Sequence, residues 1–320
     1  MNNPFPLPII ASHLPTFRVS EDVTGLQIVM ANVYFIRQTD GDTPRWFLVD
    51  AGLGSCADRI QRAAESLFGA GSKPSAILLT HGHFDHVGGL AELARRWKVP
   101  IYAHALEMPY LTGQSSYPPP DPSVGGGALA AVAGLYPKKP ITLTGELIPF
   151  PDDGSIPKLN GWRVIPTPGH TAGHVSFFEE STKTLLAGDA FVTVRQSSLS
   201  AVLKQEPELH GPPAYFTSDW LRAEQSVATL AALRPEVAAT GHGQPMRGEA
   251  LRQQLDALSE HFGERAVPAQ GRYVPQPARA DERGVTYVPP APPPAVSWTT
   301  AGLATVAALA LAWVVKRWRQ

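Results

Sequence analysis

The sequence has little cysteine and no excess of one charge. Cys56 is the single cysteine among 320 residues, which excludes an internal disulfide and any metal cage built from several thiolates. The 27 Lys and Arg residues are matched by 28 Asp and Glu residues. Without a broad basic field nothing attracts a nucleic acid, so we expect no nucleic-acid partner.

The two ends of the sequence differ in character. Residues 1–10 lack both a basic start and a continuous apolar run, so no secretory signal peptide is predicted. Residues 295–315 contain no charged side chain, and basic residues follow at once. At about 1.5 Å per residue this run just spans a bilayer core of roughly 30 Å. We therefore expect a transmembrane helix over 295–316 and a short basic tail over 317–320.

This helix predicts a membrane location with a single C-terminal anchor. Trp298 and Trp313 lie near its ends, where interfacial tryptophans are usual. The basic tail alone favours a cytoplasmic C-terminus by the positive-inside rule. Because no signal peptide is predicted, we instead expect the large folded domain, which carries the chemistry, to stay in the cytoplasm.

The chain ahead of this helix divides into a folded domain and a linker. Residues 1–264 mix amphipathic helix patterns with strands that occur in hairpins as well as singly, which favours sheets covered by helices over a parallel doubly wound sheet. Residues 265–294 are rich in proline and predict an extended segment and linker. Within the domain, 111–140 lacks any periodicity, and unstructured loops this long are usually functional or mobile.

The strongest chemical signal is a run of six residues after the apolar strand pattern at 76–79. The run comprises His81, Gly82, His83, Phe84, Asp85 and His86. If these three imidazoles and one carboxylate were only packed, each would need its own polar partner. One or two metal ions satisfy them together, and such ligands suit zinc or iron better than calcium or magnesium. A polar surface turn is the plain alternative, but apolar residues flank the run on both sides.

The six residues resemble the His-x-His-x-Asp-His motif of the metallo-β-lactamase superfamily. Further segments resembling that family are present in the family's order, one before this motif and the others after it, and the residues they supply are Asp50, His170, His174, Asp189 and His242. The similarity extends over about residues 24–262. It implies a four-layer αβ/βα sandwich, a mixed α/β fold, with a metal site at one edge.

The resemblance also implies two divalent metal ions, with zinc expected and iron or manganese as alternatives. The implied ligands are His81, His83 and His170 for one ion and Asp85, His86 and His242 for the other, with Asp189 bridging both. Asp50 and His174 would lie behind the ligands, where Asp50 accepts a hydrogen bond that orients an imidazole.

The activity implied is hydrolysis of an ester, thioester or lactone by a metal-bridging hydroxide, which two zinc ions supply near pH 7. Asp85 would hold the proton of the hydroxide and pass it to the leaving group. A ligand set of histidine and aspartate resembles glyoxalase II-like thioesterases and lactonases more than the members that cleave β-lactams, which typically use a cysteine. Residues 190–192 lack the tyrosine that lactonases for acyl-homoserine lactones often carry.

Three other functions remain open. A mononuclear iron oxygenase of the persulfide dioxygenase type shares much of this ligand set but leaves the second site empty. A metal-dependent phosphodiesterase or nuclease usually adds a domain or a basic exosite. A catalytically silent module recruited to a membrane has no reason to keep all seven ligands.

The substrate is expected to be a small molecule held by two loops. One is the stretch 111–140. The other is a stiff aromatic loop over 210–220, which could wall an acyl pocket or simply cover the core. Its candidate contact residues are His210, Tyr215, Phe216 and Trp220.

Overall fold

Seven strands form the first sheet of the molecule. The computed structural model describes residues 16–40, 43–125, 133–137, 140–143, 145–195 and 207–292, together with Gly127 and Ala130. In spatial and chain order the strands are β1 (Thr16–Arg18), β2 (Val23–Ile28), β3 (Ala31–Asp40), β4 (Thr43–Val49), β5 (Ile77–Leu78), β6 (Ile101–Ala103) and β7 (Leu147–Pro149). The pairs from β1 to β4 are antiparallel, and those from β4 to β7 are parallel.

A second sheet has five strands. They are β8 (Trp162–Pro166), β9 (Val175–Glu179), β10 (Thr184–Leu186), β11 (Val237–Ala239) and β12 (Met246–Arg247), in the order β12-β11-β10-β9-β8. Only β10 and β11 pair in parallel. The proline-rich segment predicted as a linker contains a small antiparallel hairpin of β13 (Arg279–Asp281) and β14 (Gly284–Tyr287).

The helices cover the outer faces of both sheets. In the part of the chain that the structure describes, the α-helices with assigned bounds are α1 (Ala57–Phe68), α2 (Phe84–Val87), α3 (Leu90–Trp97), α4 (Met108–Leu111), α5 (Trp220–Ala232), α6 (Gly248–Glu260) and α7 (Phe262–Arg265). The amphipathic pattern of α3 turns Leu90, Leu93 and Trp97 toward the core, because residues three and four apart share one helix face.

Three apolar cores separate the layers. The sheets face each other across a core that includes Phe47 and Val49 from the first and Phe177 from the second. The first sheet packs outward against α1 and α3, and the second packs outward against α5 and α6. Fully burying one such side chain contributes about 1.5–3 kcal/mol. The predicted four-layer αβ/βα sandwich is confirmed.

The predicted C-terminal transmembrane helix is wrong. In the part of the chain that the structure describes, no helix combines the length and the apolar character needed to cross a membrane. The longest described helices, α5 and α6, have 13 residues each. At about 1.5 Å per residue that is about 20 Å, against a bilayer core of roughly 30 Å. The segment 295–316 itself lies outside the described residues, and the predicted membrane location and anchor are withdrawn with the helix.

The loops that carry the polar motifs meet at one edge of the sandwich. Asp50 follows β4 and His81 follows closely after β5, which are parallel neighbours in the first sheet. Asp189 and His242 follow the parallel strands β10 and β11 of the second sheet. At this edge Asn32 donates a hydrogen bond from its backbone to Gly241 O at 2.8 Å. The fold therefore joins residues that lie far apart in the sequence.

Candidate metal centre

Three buried histidines from three loops converge on one point. His81 follows β5, His83 precedes α2, and His170 lies in the loop between β8 and β9. His83 Nδ1 is 2.9 Å from His81 Nε2 and 3.0 Å from His170 Nε2. All three side chains are buried. Their nitrogens could hold a metal ion, because these atoms lie within 4.8 Å of one another.

A second set of donors lies beside the first. Asp85 and His86 belong to α2, and His242 follows β11. His242 Nε2 is 3.5 Å from Asp85 Oδ2 and 3.2 Å from Asp189 Oδ2. The same oxygen of Asp189 lies 3.6 Å from His86 Nε2 and 3.5 Å from His170 Nε2. Asp189 therefore lies between the two sets.

Hydrogen bonds from behind fix the ring orientation of the histidines at the first sheet. Thr80 donates its hydroxyl to Asp50 Oδ2 at 2.8 Å, so its oxygen accepts the proton of His81 Nδ1 at 3.1 Å. Asp50 Oδ2 also accepts from His86 Nδ1 at 2.8 Å. Both rings therefore direct Nε2 into the site, and this nitrogen binds a metal ion once it is unprotonated.

The histidines of the second sheet are fixed in the same way. His242 Nδ1 donates to the carbonyl oxygen of Met30 at 2.7 Å. Thr217 donates its hydroxyl to Pro213 O at 2.9 Å, so it accepts from His170 Nδ1 at 3.4 Å. Nε2 of each ring is left for the site.

The arrangement of His81, His83 and His170 suits a bound cation, but without one the three rings pack unfavourably against each other. Burial lowers the pKa of His83 to about 3, and it lowers the pKa of His81 and His170 well below the usual 6.5. All three are therefore neutral at pH 7. At most one proton fits between three nitrogens this close, so the remaining lone pairs face each other unless a metal ion accepts them.

The second set has the charge that a cation requires. Burial favours neutral His86, but the carboxylates around it, Asp189 foremost, outweigh burial and raise its pKa well above 6.5. Burial alone would raise the pKa of Asp189, yet His242 and His86 hold it well below 3.8. Within the described residues, His86 Nε2 and Asp189 Oδ1 are buried without a hydrogen-bond partner. Such orphaned atoms need an explanation, and a divalent ion provides one.

Comparison with known proteins gives the family. The model of the metallo-beta-lactamase superfamily matches residues 27–242, which is more than half of the chain. The chain belongs to the metallo-beta-lactamase superfamily. The probable metallo-hydrolase YflN of Bacillus subtilis is 44% identical over 246 residues, which cover 77% of this chain and 93% of the relative.

Two more distant proteins are also similar to this chain. A hydroxyacylglutathione hydrolase of Acidiphilium cryptum is 28% identical and the match covers 72% of this chain and 76% of the relative. A beta-lactamase domain protein from Burkholderia ambifaria shares the fold, with a TM-score of 0.52, 22% identity and 80% of each chain covered. The chain is thus a metal-dependent hydrolase of this superfamily, and its buried histidines and aspartates fit a divalent metal site.

His174 supports the site without facing the ligand cluster. Its Nε2 accepts a hydrogen bond from the backbone N–H of Asp189 at 2.9 Å. Its Nδ1 lies 2.8 Å from the hydroxyl oxygen of Thr167. Since Nε2 is the acceptor, Nδ1 carries the proton and donates it to Thr167. His174 therefore fixes the position at which Asp189 leaves β10.

The four residues suggested for substrate contact lie in different places. The ring of Phe216 is 4.6 Å from that of His83, and Tyr215 is buried beside it at 5.0 Å. Trp220 is buried in the core of the second sheet near Phe262. His210 lies 3.4 Å from the carboxylate of Glu208 and lines a different groove. Of the four, Phe216 packs on the ring of His83 with Tyr215 beside it, and Trp220 and His210 lie elsewhere.

An aromatic groove opens beside His83. The space between its walls amounts to about 590 Å³, part of which is open to solvent. Its apolar lining includes Phe84, Tyr117, Ile141 and Phe216. The stretch 111–140, predicted from its lack of periodicity to bound the substrate, supplies Tyr117 and several prolines of this wall.

Two residues beside the ligands had no signal in the sequence. Glu107 is fully buried and contacts the loops of both sheets, and Tyr117 packs its ring 4.5 Å from that of His83. Glu107 lies just before the stretch 111–140, which has no periodic pattern, and Tyr117 lies within it. Their importance depends on partners 10 to 66 residues away, so no local pattern could indicate it.

Proposed function

We propose that the chain is a binuclear hydrolase that cleaves an ester, thioester or lactone. The observation that carries the proposal is the pair of buried donor sets that share Asp189. His81, His83 and His170 would hold one ion, and Asp85, His86 and His242 the other. We propose zinc for both, with iron or manganese as alternatives, because imidazole and carboxylate suit these ions.

The protein's own residues account for positioning and proton handling. Two bound ions would supply Lewis acidity and a hydroxide at neutral pH, since such sites lower the pKa of water to about 7. Asp85 extends its carboxylate toward His242 from the first turn of α2. We propose that this carboxylate takes the proton of the attacking water and delivers it to the leaving group. Asp50 keeps the ring of His86 in its ligand orientation.

The groove favours a substrate with an apolar acyl or ring portion. Phe84 and Phe216 form part of its wall, and His83 stands at its end. Grooves with mainly apolar linings suit small molecules. The near-neutral charge of the chain offers no basic exosite for a nucleic acid, which supports a small carbonyl substrate over a phosphodiester polymer.

The second donor set also favours hydrolysis over an oxygenase reaction. A mononuclear oxygenase of the persulfide dioxygenase type would leave Asp85, His86 and His242 unused. Here the three side chains are buried and close enough to share an ion. Burying polar groups is costly unless they are satisfied, so an unused second set would only destabilise the fold.

Metal content and substrate range test the proposal. We expect the purified chain to bind about two transition-metal ions, in line with two-metal sites. It should hydrolyse members of a panel of lactones and thioesters and should leave bis-p-nitrophenyl phosphate largely uncut. A chelated sample that has lost its metal serves as the blank for each substrate. A reproducible content near one ion, mostly iron, together with oxygen consumption would instead favour the oxygenase.

A further inference from the structure

Glu107 is a fully buried carboxylate whose two oxygens are both saturated. It lies at the end of a short 3-10 turn, Ala105–Glu107, that follows β6. Oε1 accepts from the hydroxyl of Thr171 at 2.7 Å and from the backbone N–H of Gly173 at 3.0 Å. Oε2 accepts from the backbone N–H of Gly82 at 2.9 Å and from the hydroxyl of Tyr117. Four donors thus converge on one side chain.

Three of these donors, Gly82, Thr171 and Gly173, belong to the two loops that carry the three-histidine set. Gly82 lies between His81 and His83, and Thr171 directly follows His170. The first loop extends from the first sheet, and the second loop connects strands of the second sheet. The carboxylate of Glu107 is therefore hydrogen-bonded to both loops and holds them at a fixed distance from each other.

The approach of the second loop to Glu107 leaves no spare room. A Cβ added at Gly173 would lie 2.8 Å from Glu107 Oε1, 2.9 Å from its Cγ and 3.0 Å from its backbone N. Glycine is thus required for the loop to come this close. The contact therefore depends on the absence of a side chain at Gly173 as well as on the carboxylate of Glu107.

We infer that Glu107 is a positioning residue of the three-histidine set, which holds the two ligand loops together and determines how tightly that set holds its metal ion. This inference rests on the proposed two-metal function. The other set is held by different groups, since Asp50 fixes His86 and the Met30 carbonyl fixes His242. Disturbing Glu107 should therefore weaken one of two sites and spare the other.

Glu107→Gln tests the inference with almost no change in shape. The glutamine amide NH₂ is itself a donor, so it would face two of the four donors that the carboxylate accepts. The zinc affinity of each site is measured by titration against a competing chelator. We expect one site to lose affinity about 10- to 100-fold, the usual effect of removing a group that orients metal ligands. The other site should keep its parental affinity.

Glu179→Gln is the matched control. Glu179 also accepts two backbone N–H groups and two hydroxyls, all from Ser181 and Thr182 in the turn between β9 and β10. It contacts no loop that carries a ligand. We expect this variant to bind both ions as the parent does, because general loosening of the fold would weaken both sites together whereas Glu107 acts on one.

The possible outcomes separate the inference from the proposed function. A parent chain that binds fewer than two ions refutes the proposed function before any variant is compared. A parent with two ions and a Glu107→Gln variant of unchanged affinity at both sites overturns the role of Glu107 alone. If Glu107→Gln does not fold, Thr171→Val removes a single donor, and unchanged affinity in that variant overturns the inference equally.

Discussion

At the scale of single residues, Asp50 has a strained backbone conformation that places its carboxylate against Thr80 and His86. Its φ is 60°, a left-handed conformation that is uncommon outside glycine, although aspartate tolerates it better than most residues. In this conformation its carboxylate accepts from the backbone N–H and the hydroxyl of Thr80, both at 2.8 Å, and from His86. The strain is thus coupled to a fixed orientation of a metal-binding ring, as is common at functional sites.

Asp85 is the residue whose chemistry can be tested most directly. Asp85→Asn keeps the shape of the side chain but removes its charge and its capacity to take a proton. We expect the variant to stay folded, to keep at least one metal ion, and to lose turnover by about 10²–10⁴-fold, the usual contribution of a general acid or base. Steady-state kinetics on the best substrate of the panel measures the loss.

A matched control is Asp58→Asn, since Asp58 also lies in the first turn of a helix, α1, but is exposed and pairs with Arg96. Its turnover should equal that of the parent. If Asp85→Asn stays within about tenfold of the parent, Asp85 is not part of the transition state.

At the scale of elements, the loop after β11 must pass unusually close to the ligands. Gly241 donates its backbone N–H to Gly188 O at 2.8 Å. An added Cβ at Gly241 would overlap Asp189 Oδ1 and would lie 2.7 Å from His86 Cε1. Even a methyl side chain would therefore displace the carboxylate that the two proposed metal ions would share.

We expect Gly241→Ala to bind metal at least tenfold more weakly than the parent, roughly the lower end of the effect of disturbing groups around a metal. Gly263→Ala in α7 is the control, because its added Cβ meets nothing within 4 Å. That variant should bind metal normally, and its unfolding temperature should not fall. Equal metal affinity in both variants would show that the loop can move away from Asp189.

The elements also show what the sequence could and could not predict. His81, His83, Asp85 and His86 were predictable because six consecutive residues after an apolar strand contain their own signal. Glu107 was not, because its value depends on Thr171 and other residues that only the folded chain brings near it. The hairpin of β13 and β14 was missed for the same reason. Its Val285 N–H donates to Ser115 Oγ at 3.1 Å across 170 residues, while its proline-rich surroundings are typical of a linker.

At the scale of the whole molecule, the candidate metal site joins the two halves of the sandwich. His81, His83, Asp85 and His86 come from the first sheet and its α2 helix, and His170, Asp189 and His242 come from loops of the second sheet. Bound ions would therefore cross-link elements from opposite halves. Without bound ions, the negative charge of the carboxylates buried at this edge is balanced by protons on His86 and His242. Burial lowers the pKa of both histidines, but the carboxylates, Asp189 foremost, outweigh burial and raise it.

Metal removal should accordingly destabilise the entire fold and not only the loops. A ligand that binds only the folded state at 100 times its Kd adds about 2.7 kcal/mol to the free energy of unfolding. For a chain of this size, each kcal/mol corresponds to about 2–4 °C, so chelation should lower the midpoint of thermal unfolding by about 5–10 °C. Differential scanning calorimetry with and without chelator measures the shift, and adding zinc back should restore the original midpoint.

The Gly241→Ala variant provides the internal control for metal removal. Because this variant is expected to bind metal weakly, a chelator removes little from it, and its midpoint should shift clearly less. An equal shift in both chains would mean that the chelator acts elsewhere, and no shift in the parent would mean that the ions do not hold the two halves together.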